Sequence, residues 1–248
     1  MRWLSFLLFA GSTAAAQSTP ARAAKPLRFD FALMAETRDS FVLHIRGEKR
    51  GWAVWEYVIR SDETGQEVRY TATSELRPSE AESLHIVVNR LTGAPIASFQ
   101  RLDFFAPTSD TVQLQYDLDV RRGEVRGRRQ ARTRSGEIRM QPVNTALPPG
   151  AVWGNYAFFA APVIQAAPGD SLVGRAYDQF ADSVRPLVVV AEAPTTVTVP
   201  AGRYDVVPLK ANSFRLFVTR AAPRRVVRGE TLDGVFSFDL AASGPPLH

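Results

Sequence analysis

From Arg28 onward, apolar and polar residues alternate with a period of two. Phe29, Phe31 and Leu33 alternate with Arg28, Asp30 and Ala32; Phe41, Leu43 and Ile45 alternate with Val42, His44 and Arg46. Val68, Tyr70, Ala72 and Ser74 alternate with Glu67, Arg69, Thr71 and Thr73, and Val112, Leu114, Tyr116, Leu118 and Val120 with Gln113, Gln115, Asp117 and Asp119. Each run predicts a strand with one buried and one wet face. Parallel strands are apolar on both faces, so the pattern points to antiparallel sheet. Residues 51–59 (GWAVWEYVI) depart from it: Trp52, Val54 and Val58 make one face apolar, and Ala53, Trp55, Tyr57 and Ile59 the other. Such a strand either lies under a second layer or turns one face to a cavity.

Turn-forming residues separate these runs, at 47–51, 62–65, 77–79, 92–93, 107–110, 122–123 and 135–136. The spacing predicts a meander of successive antiparallel strands over about residues 28–142. Pro148, Pro149 and Gly150 then interrupt it. Residues 155–165 (NYAFFAAPVIQ) have the length and composition of a short helix, with Asn155 as its cap and Pro162 limiting or kinking it. Strands resume at 172–177, 187–191, 195–199, 203–209, 214–219, 226–230 and 235–240. The expected fold is all-β and mainly antiparallel, a single domain over 28–240. Its sheet is curled or forms an open barrel, with one short helix packed against or inside it. Residues 241–248 form a fraying tail.

The N-terminus adds a compartment. Arg2 precedes an apolar run from Trp3 to Ala10, and Ala14, Ala15 and Ala16 supply the small residues a signal peptidase reads, which predicts a signal peptide over 1–16. The run is too short to span a bilayer as a helix. Residues 17–27 (QSTPARAAKPL) read as a flexible linker. The chain contains no Cys, which excludes disulfides, thiol nucleophiles, zinc–thiolate centres and a lipid-modified N-terminal Cys. The expected product is exported to the periplasm or beyond, soluble, and not a lipoprotein. At 248 residues with 45% hydrophobic composition it can build a core large enough to need no cross-links.

Residues 195–240 carry a series of phrases: TVTVPAGRYDVVPL, then FRLFVT, APRRVVRGE and DGVFSFDL, preceded by an aromatic helix and PGDSLVGRAYD. Pro200 presets a hairpin turn and Gly202 closes it without a Cβ clash. This order resembles a family of bacterial periplasmic proteins filed as a domain of unknown function, number thirty-one oh eight, most clearly over residues 150–240. GEKRGWAVWEYVI fits that family's early strand pair more loosely. The resemblance implies an antiparallel sheet curled into an open barrel around a helix, similar to periplasmic lipoprotein carriers. It brings no catalytic residue with it.

Several short motifs suggest chemistry. Gly169-Asp170-Ser171-Leu172 spells the nucleophile motif of one lipase class, but it lies late in the chain in an antiparallel context, and the one downstream His is His248. A serine nucleophile needs a positioned base, so the stretch reads as a turn before a strand. His44 and His85 sit on strands without metal-ligand spacing. Asp117 and Asp119 share a solvated strand face. No glycine-rich phosphate loop is present. No catalytic residue, metal site or cofactor is expected.

Two features remain. Seven arginines fall within residues 121–134, and in a strand Arg126, Arg128, Arg132 and Arg134 would share one face with Gln130. That ribbon could meet an anionic membrane surface, or could simply keep an edge hairpin soluble. Nucleic acid is not an expected partner, because stacking aromatics are not interleaved with the arginines. The second feature is aromatic: Trp52, Trp55, Tyr57, Phe99, Phe104, Trp153, Tyr156, Phe158 and Phe159 exceed what one flat sheet face requires. They predict either a cavity between sheet and helix that binds a lipid or a lipoprotein acyl chain, or a solid core. The expected function is therefore non-catalytic binding of an apolar or amphipathic envelope ligand. The alternatives are a structural or protein-interaction module with a solid core, and a serine hydrolase using Ser171. A transmembrane barrel fits less well, since several strands are too short or too charged and no aromatic residue ends the last one.

Overall fold

The computed structural model describes residues 24–62, 65–107 and 109–247. Its first long run is the expected meander: β2 (Thr37–Ile45), β3 (Glu48–Asp62), β4 (Gly65–Leu76), β5 (Glu80–Asn89), β6 (Pro95–Phe104), β7 (Thr111–Arg121), β8 (Glu124–Thr133) and β9 (Ile138–Ala146). Each pairs antiparallel with the next. A short crossing follows, made of β10 (Ala151–Trp153) and helix α1 (Tyr156–Ala160). The second run comprises β11 (Ser171–Asp178), β12 (Ser183–Ala191), β13 (Thr195–Val199), β14 (Gly202–Ala211), β15 (Phe214–Thr219), β16 (Val226–Thr231) and β17 (Phe236–Gly244).

The two runs form one sheet because β17 pairs antiparallel with β2, placing the last strand beside the start of the meander. At the far margin β10 pairs parallel with β11, and so does β1 (Lys25–Pro26). The opposite margin is β9. Hydrogen bonding does not close the sheet among the described residues. Side chains bridge its margins instead: Asp182, in the β11–β12 turn, accepts hydrogen bonds from Tyr177 Oη at 2.8 Å and from Thr145 Oγ1 on β9. The architecture is an all-β, mostly antiparallel, open barrel-like sheet.

Its concave side holds the core. Helix α1 and the 3-10 turn after it (Ala161–Val163) lie there, with Ala160, Ala161, Val163 and Ile164 buried. The expected helix over 155–165 is thus shorter, because Pro162 cannot extend the hydrogen-bond ladder and the backbone tightens into a 3-10 turn. Asn155 adopts helical dihedrals (φ −73°, ψ −18°), and its side chain makes no capping bond. A capping side chain is normally carried on extended backbone, from which it can reach back to the first free N–H groups.

Three other expectations are corrected. Residues 28–33 do not form a strand: Asp30 accepts a bond from the Ala32 N–H at 3.0 Å, and Phe31–Leu33 turn into a 3-10 segment. That local side-chain bond outcompetes the ladder. Of the expected linker, Lys25–Pro26 are a strand and the Leu27 N–H bonds the Val173 carbonyl at 2.9 Å. In the expected tail, β17 runs to Gly244. The signal peptide over 1–16, the linker residues up to 23, and His248 lie outside the described residues.

Candidate functional site

Between the concave sheet and α1 lies a cavity of about 140 Å³. Its floor is set by small side chains. On β3 and β4 the inward positions are Ala53, Ala72 and Ser74, with Ala53 paired to Ser74 and Trp55 to Ala72. Interiors are normally packed without voids of this size, and here no large side chain rises from those three positions to fill the space.

The walls are aromatic. Trp55 lies with its ring centroid 4.5 Å from Phe41, 5.0 Å from Phe159 and 5.1 Å from Phe238. Phe158 meets Phe214 edge-on at 4.6 Å, and Phe236 continues the row 6.3 Å from Phe214. Gly229 permits this arrangement: a Cβ there would fall 2.2 Å from the Phe238 ring, so only glycine lets the ring lie flat across β16.

One end of the cavity is polar. The inward face of β5 reads Glu80, Glu82, Leu84, Ile86 and Val88, so two carboxyls stand where the alternation calls for apolar residues. Both line the cavity. Glu80 is 5% exposed. Burial, and then the neighbouring charge of Glu82, push its pKa up to about 8. Burial likewise raises Glu82, opposed by a hydrogen bond from Gln100. That bond belongs to a relay in which Gln179 Nε2 donates to Gln100 Oε1 and Gln100 Nε2 donates to Glu82 Oε1. The relay points its positive end at Glu82 and favours the ionised form there. Neither carboxyl has a salt-bridge partner among the described residues. Asn155 also lines the cavity, and both polar atoms of its amide are buried without a hydrogen-bond partner.

Of the nine aromatics singled out by sequence, Trp55, Phe158 and Phe159 line the cavity. Trp52 and Phe99 lie on the outer face, 45% and 37% exposed, because odd and even positions of a strand face opposite ways and their neighbours Ala53 and Gln100 take the inward places. Tyr57 is buried against Tyr70, with ring centroids 4.8 Å apart, and Trp153 against Tyr177 at 5.8 Å. Phe104 pairs across the sheet with Glu80 but is not among the described lining residues. The side chain of Tyr156 lies outside what is described.

The arginine segment is not an edge. Strand β8 is paired on both sides, and β9 forms the margin. Arg126, Arg128 and Arg132 are exposed on its outer face, but Arg126 is ion-paired with Glu124 and Arg128 with Asp117 at 3.4 Å. Arg134 donates to the Ala106 and Ser109 carbonyls at 3.0 and 3.2 Å. Acidic neighbours thus offset part of the segment's charge: Arg121, with Asp119 at 2.7 Å, is the third arginine of the segment with an acidic partner. Gly169 and Asp170 form the expected turn before a strand. Gly169 has φ +83°, and the buried Asp170 carboxylate is held by Lys25 Nζ at 2.8 and 2.9 Å. No group of three or more potential metal ligands occurs among the described residues, and no described helix is long and apolar enough to cross a membrane.

The residues missed by sequence are Glu80, Glu82, Gln100, Gln179 and the free amide of Asn155. The signal for the first two was present: they continue the register of Leu84, Ile86 and Val88.

No family model matches the chain, so the resemblance to the family numbered thirty-one oh eight has no matching model behind it. No curated protein matches it in sequence either. Among solved structures, the chain is similar to a β-barrel-like protein of domain of unknown function DUF1849 from Brucella abortus, at 9% identity and a TM-score of 0.44, over 85% of this chain and 97% of that one. It is also similar to a putative exported protein with a YmcC-like fold from Bacteroides fragilis, at 12% identity and a TM-score of 0.34, over 88% of this chain and 99% of that one.

Proposed function

We propose that the protein is an exported, soluble, non-catalytic binding protein whose cavity takes an apolar or amphipathic ligand of the cell envelope, such as the end of a lipid or lipoprotein acyl chain. The observation that carries this reading is the cavity itself, about 140 Å³ between Trp55, Phe158 and Phe159 over the small side chains of Ala53, Ala72 and Ser74. An empty apolar space forfeits packing contacts along its whole lining, at a cost that grows with its volume. A fold retains such a space at no loss when a ligand fills it. The signal-peptide pattern at residues 1–16 supplies the export.

Native mass spectrometry of the protein purified from its own envelope tests the reading. A bound small molecule is expected, absent from an Ala72→Leu variant whose added side chain occupies the floor. Protein free of any bound mass, together with a wild type that takes up no small apolar probe, would overturn it.

A further inference from the structure

A carboxyl group is the least favourable group to place in an apolar chamber, because its ionised form loses hydration that the chamber does not replace. Proteins rarely bury Glu without a partner. Here Glu80 and Glu82 enter one aromatic chamber from adjacent inward positions of β5, and no Lys, Arg or His is paired with either among the described residues. Asn155 adds an amide with both polar atoms buried and unpaired in the same chamber. Trp55, Phe158, Phe159 and Phe238 surround the space with ring faces and edges.

We infer that the ligand of this cavity is an organic cation, an amine with a small apolar body, whose ammonium group is held by Glu80 and Glu82 and whose body lies among the aromatic rings. The inference rests on the binding reading and names the class of ligand.

Each group then has its complement. An ammonium donates up to three hydrogen bonds, and the two carboxylates and the Asn155 carbonyl are acceptors. Aromatic faces attract cations electrostatically, most strongly where water is excluded. The relay from Gln179 through Gln100 keeps Glu82 oriented toward the chamber. An anionic ligand would meet like charge wherever either carboxyl is ionised, and would gain nothing from ionising Glu80. Calcium needs about six to eight oxygen ligands, and an aromatic wall supplies none. The volume sets the size: an engineered cavity of about 150 Å³ holds one benzene ring, so a single ring or a short branched chain fits here.

Protonation gives an independent readout. Glu80 is largely protonated at neutral pH, since burial and Glu82 raise its pKa to about 8. The elements packed on it present no other titratable group among the described residues: Leu76 and Ser74 face inward from β4, Phe104, Leu102 and Gln100 from β6, and Asn155 stands beside α1. Capture of an ammonium should therefore ionise Glu80 and release up to one proton.

Calorimetric titration of the full chain with benzylamine, benzyl alcohol and benzoate at pH 7 decides the matter. Benzylamine is expected to bind at least tenfold more tightly than benzyl alcohol, and benzoate not at all. The benzylamine heat should vary with the ionisation enthalpy of the buffer, and the alcohol heat should not. The Glu80→Gln, Glu82→Gln double variant should lose the preference while still binding the alcohol. Should that variant fail to fold, Glu82→Gln, whose amide oxygen still accepts from Gln100, should reduce the preference severalfold. Equal or tighter binding of the alcohol or of benzoate overturns the cationic ligand and leaves the binding reading standing. If none of the three binds, the cationic ligand fails, and the native mass spectrum decides the binding reading separately.

Discussion

The ring of Trp55 on β3 lies 5.0 Å from the ring of Phe159 on α1, tilted by 58°, and this contact joins the sheet to the helix it encloses. Phe159 also reaches Tyr70, 6.0 Å away on β4. Truncating a buried phenylalanine costs about 3–5 kcal/mol, so Phe159→Ala should lower stability by that amount in urea unfolding. Ala72→Leu should behave differently. Its side chain grows into the cavity, and cavity-filling substitutions commonly add about 0.5–2 kcal/mol, so stability should hold or rise while ligand uptake is lost. The pair separates a cavity that matters for binding from one that merely reflects loose packing.

Asp170 and Ser171 are neighbours in the lipase-like motif with opposite structural weight. Asp170 is buried and accepts from Lys25 and from the Ala167 N–H at 3.0 Å. Charge-assisted hydrogen bonds of this kind are worth about 1.5–3 kcal/mol. Asp170→Ala should lower the urea midpoint accordingly. Ser171 opens β11 and is only partly buried, so Ser171→Ala should shift stability by less than about 0.5 kcal/mol. A chromogenic ester assay should show no Ser171-dependent turnover, and turnover lost on Ser171→Ala would restore the hydrolase reading.

The sheet was legible wherever the binary pattern held. The strands 195–199 and 214–219 appear with the bounds their alternation gave, and the inward rows of β2, β4 and β7 are the ones read from sequence. Legibility failed at the start of β5 and in the middle of β6, where polar residues take inward places. On β6 the inward residues Ser98 and Gln100 are buried while Phe99 faces out. On β5 two carboxyls occupy the inward row. A strand whose buried face carries Glu, Ser and Gln is invisible to a hydrophobicity rule, and it is this placement that builds the polar end of the cavity. Local rules break where a site displaces packing.

The arginine excess has a similar explanation. Along the outer strand faces an acid and an arginine recur two positions apart: Glu48 with Arg50, Glu67 with Arg69, Glu75 with Arg77, Glu124 with Arg126 and Glu137 with Arg139. Such pairs share a face because strand side chains repeat every second residue. Arg126 and Arg128 are therefore expected to give only weak, salt-sensitive sedimentation with phosphatidylglycerol vesicles. Releasing them in the Glu124→Gln, Asp117→Asn double variant should strengthen it. Tight binding by the wild type, lost in Arg128→Ala, would show that the ion pairs do not quench the surface.

Glu80 sets a pH dependence whose sign follows from its raised pKa. In the unfolded chain the carboxyl ionises near its ordinary value of 4.5, whereas in the folded protein it holds its proton up to about 8. The folded state thus binds more protons than the unfolded state between these limits, and stability must fall as pH rises through that window. The contribution of Glu80 is fully present below about pH 4.5 and is lost as pH passes 8. Glu82, raised in the same direction, adds to the slope. Glu80→Gln carries no titrating proton, so the excess of its urea midpoint over the wild type should be small at pH 5, just above the start of the window, and large at pH 8. An amine ligand should reverse the trend, because it pairs with the ionised carboxyl: in saturating benzylamine the wild type should gain more stability at pH 8 than at pH 5. A wild type and a Glu80→Gln variant that lose stability in parallel from pH 5 to pH 8 would show that Glu80 titrates as an ordinary solvated carboxylate.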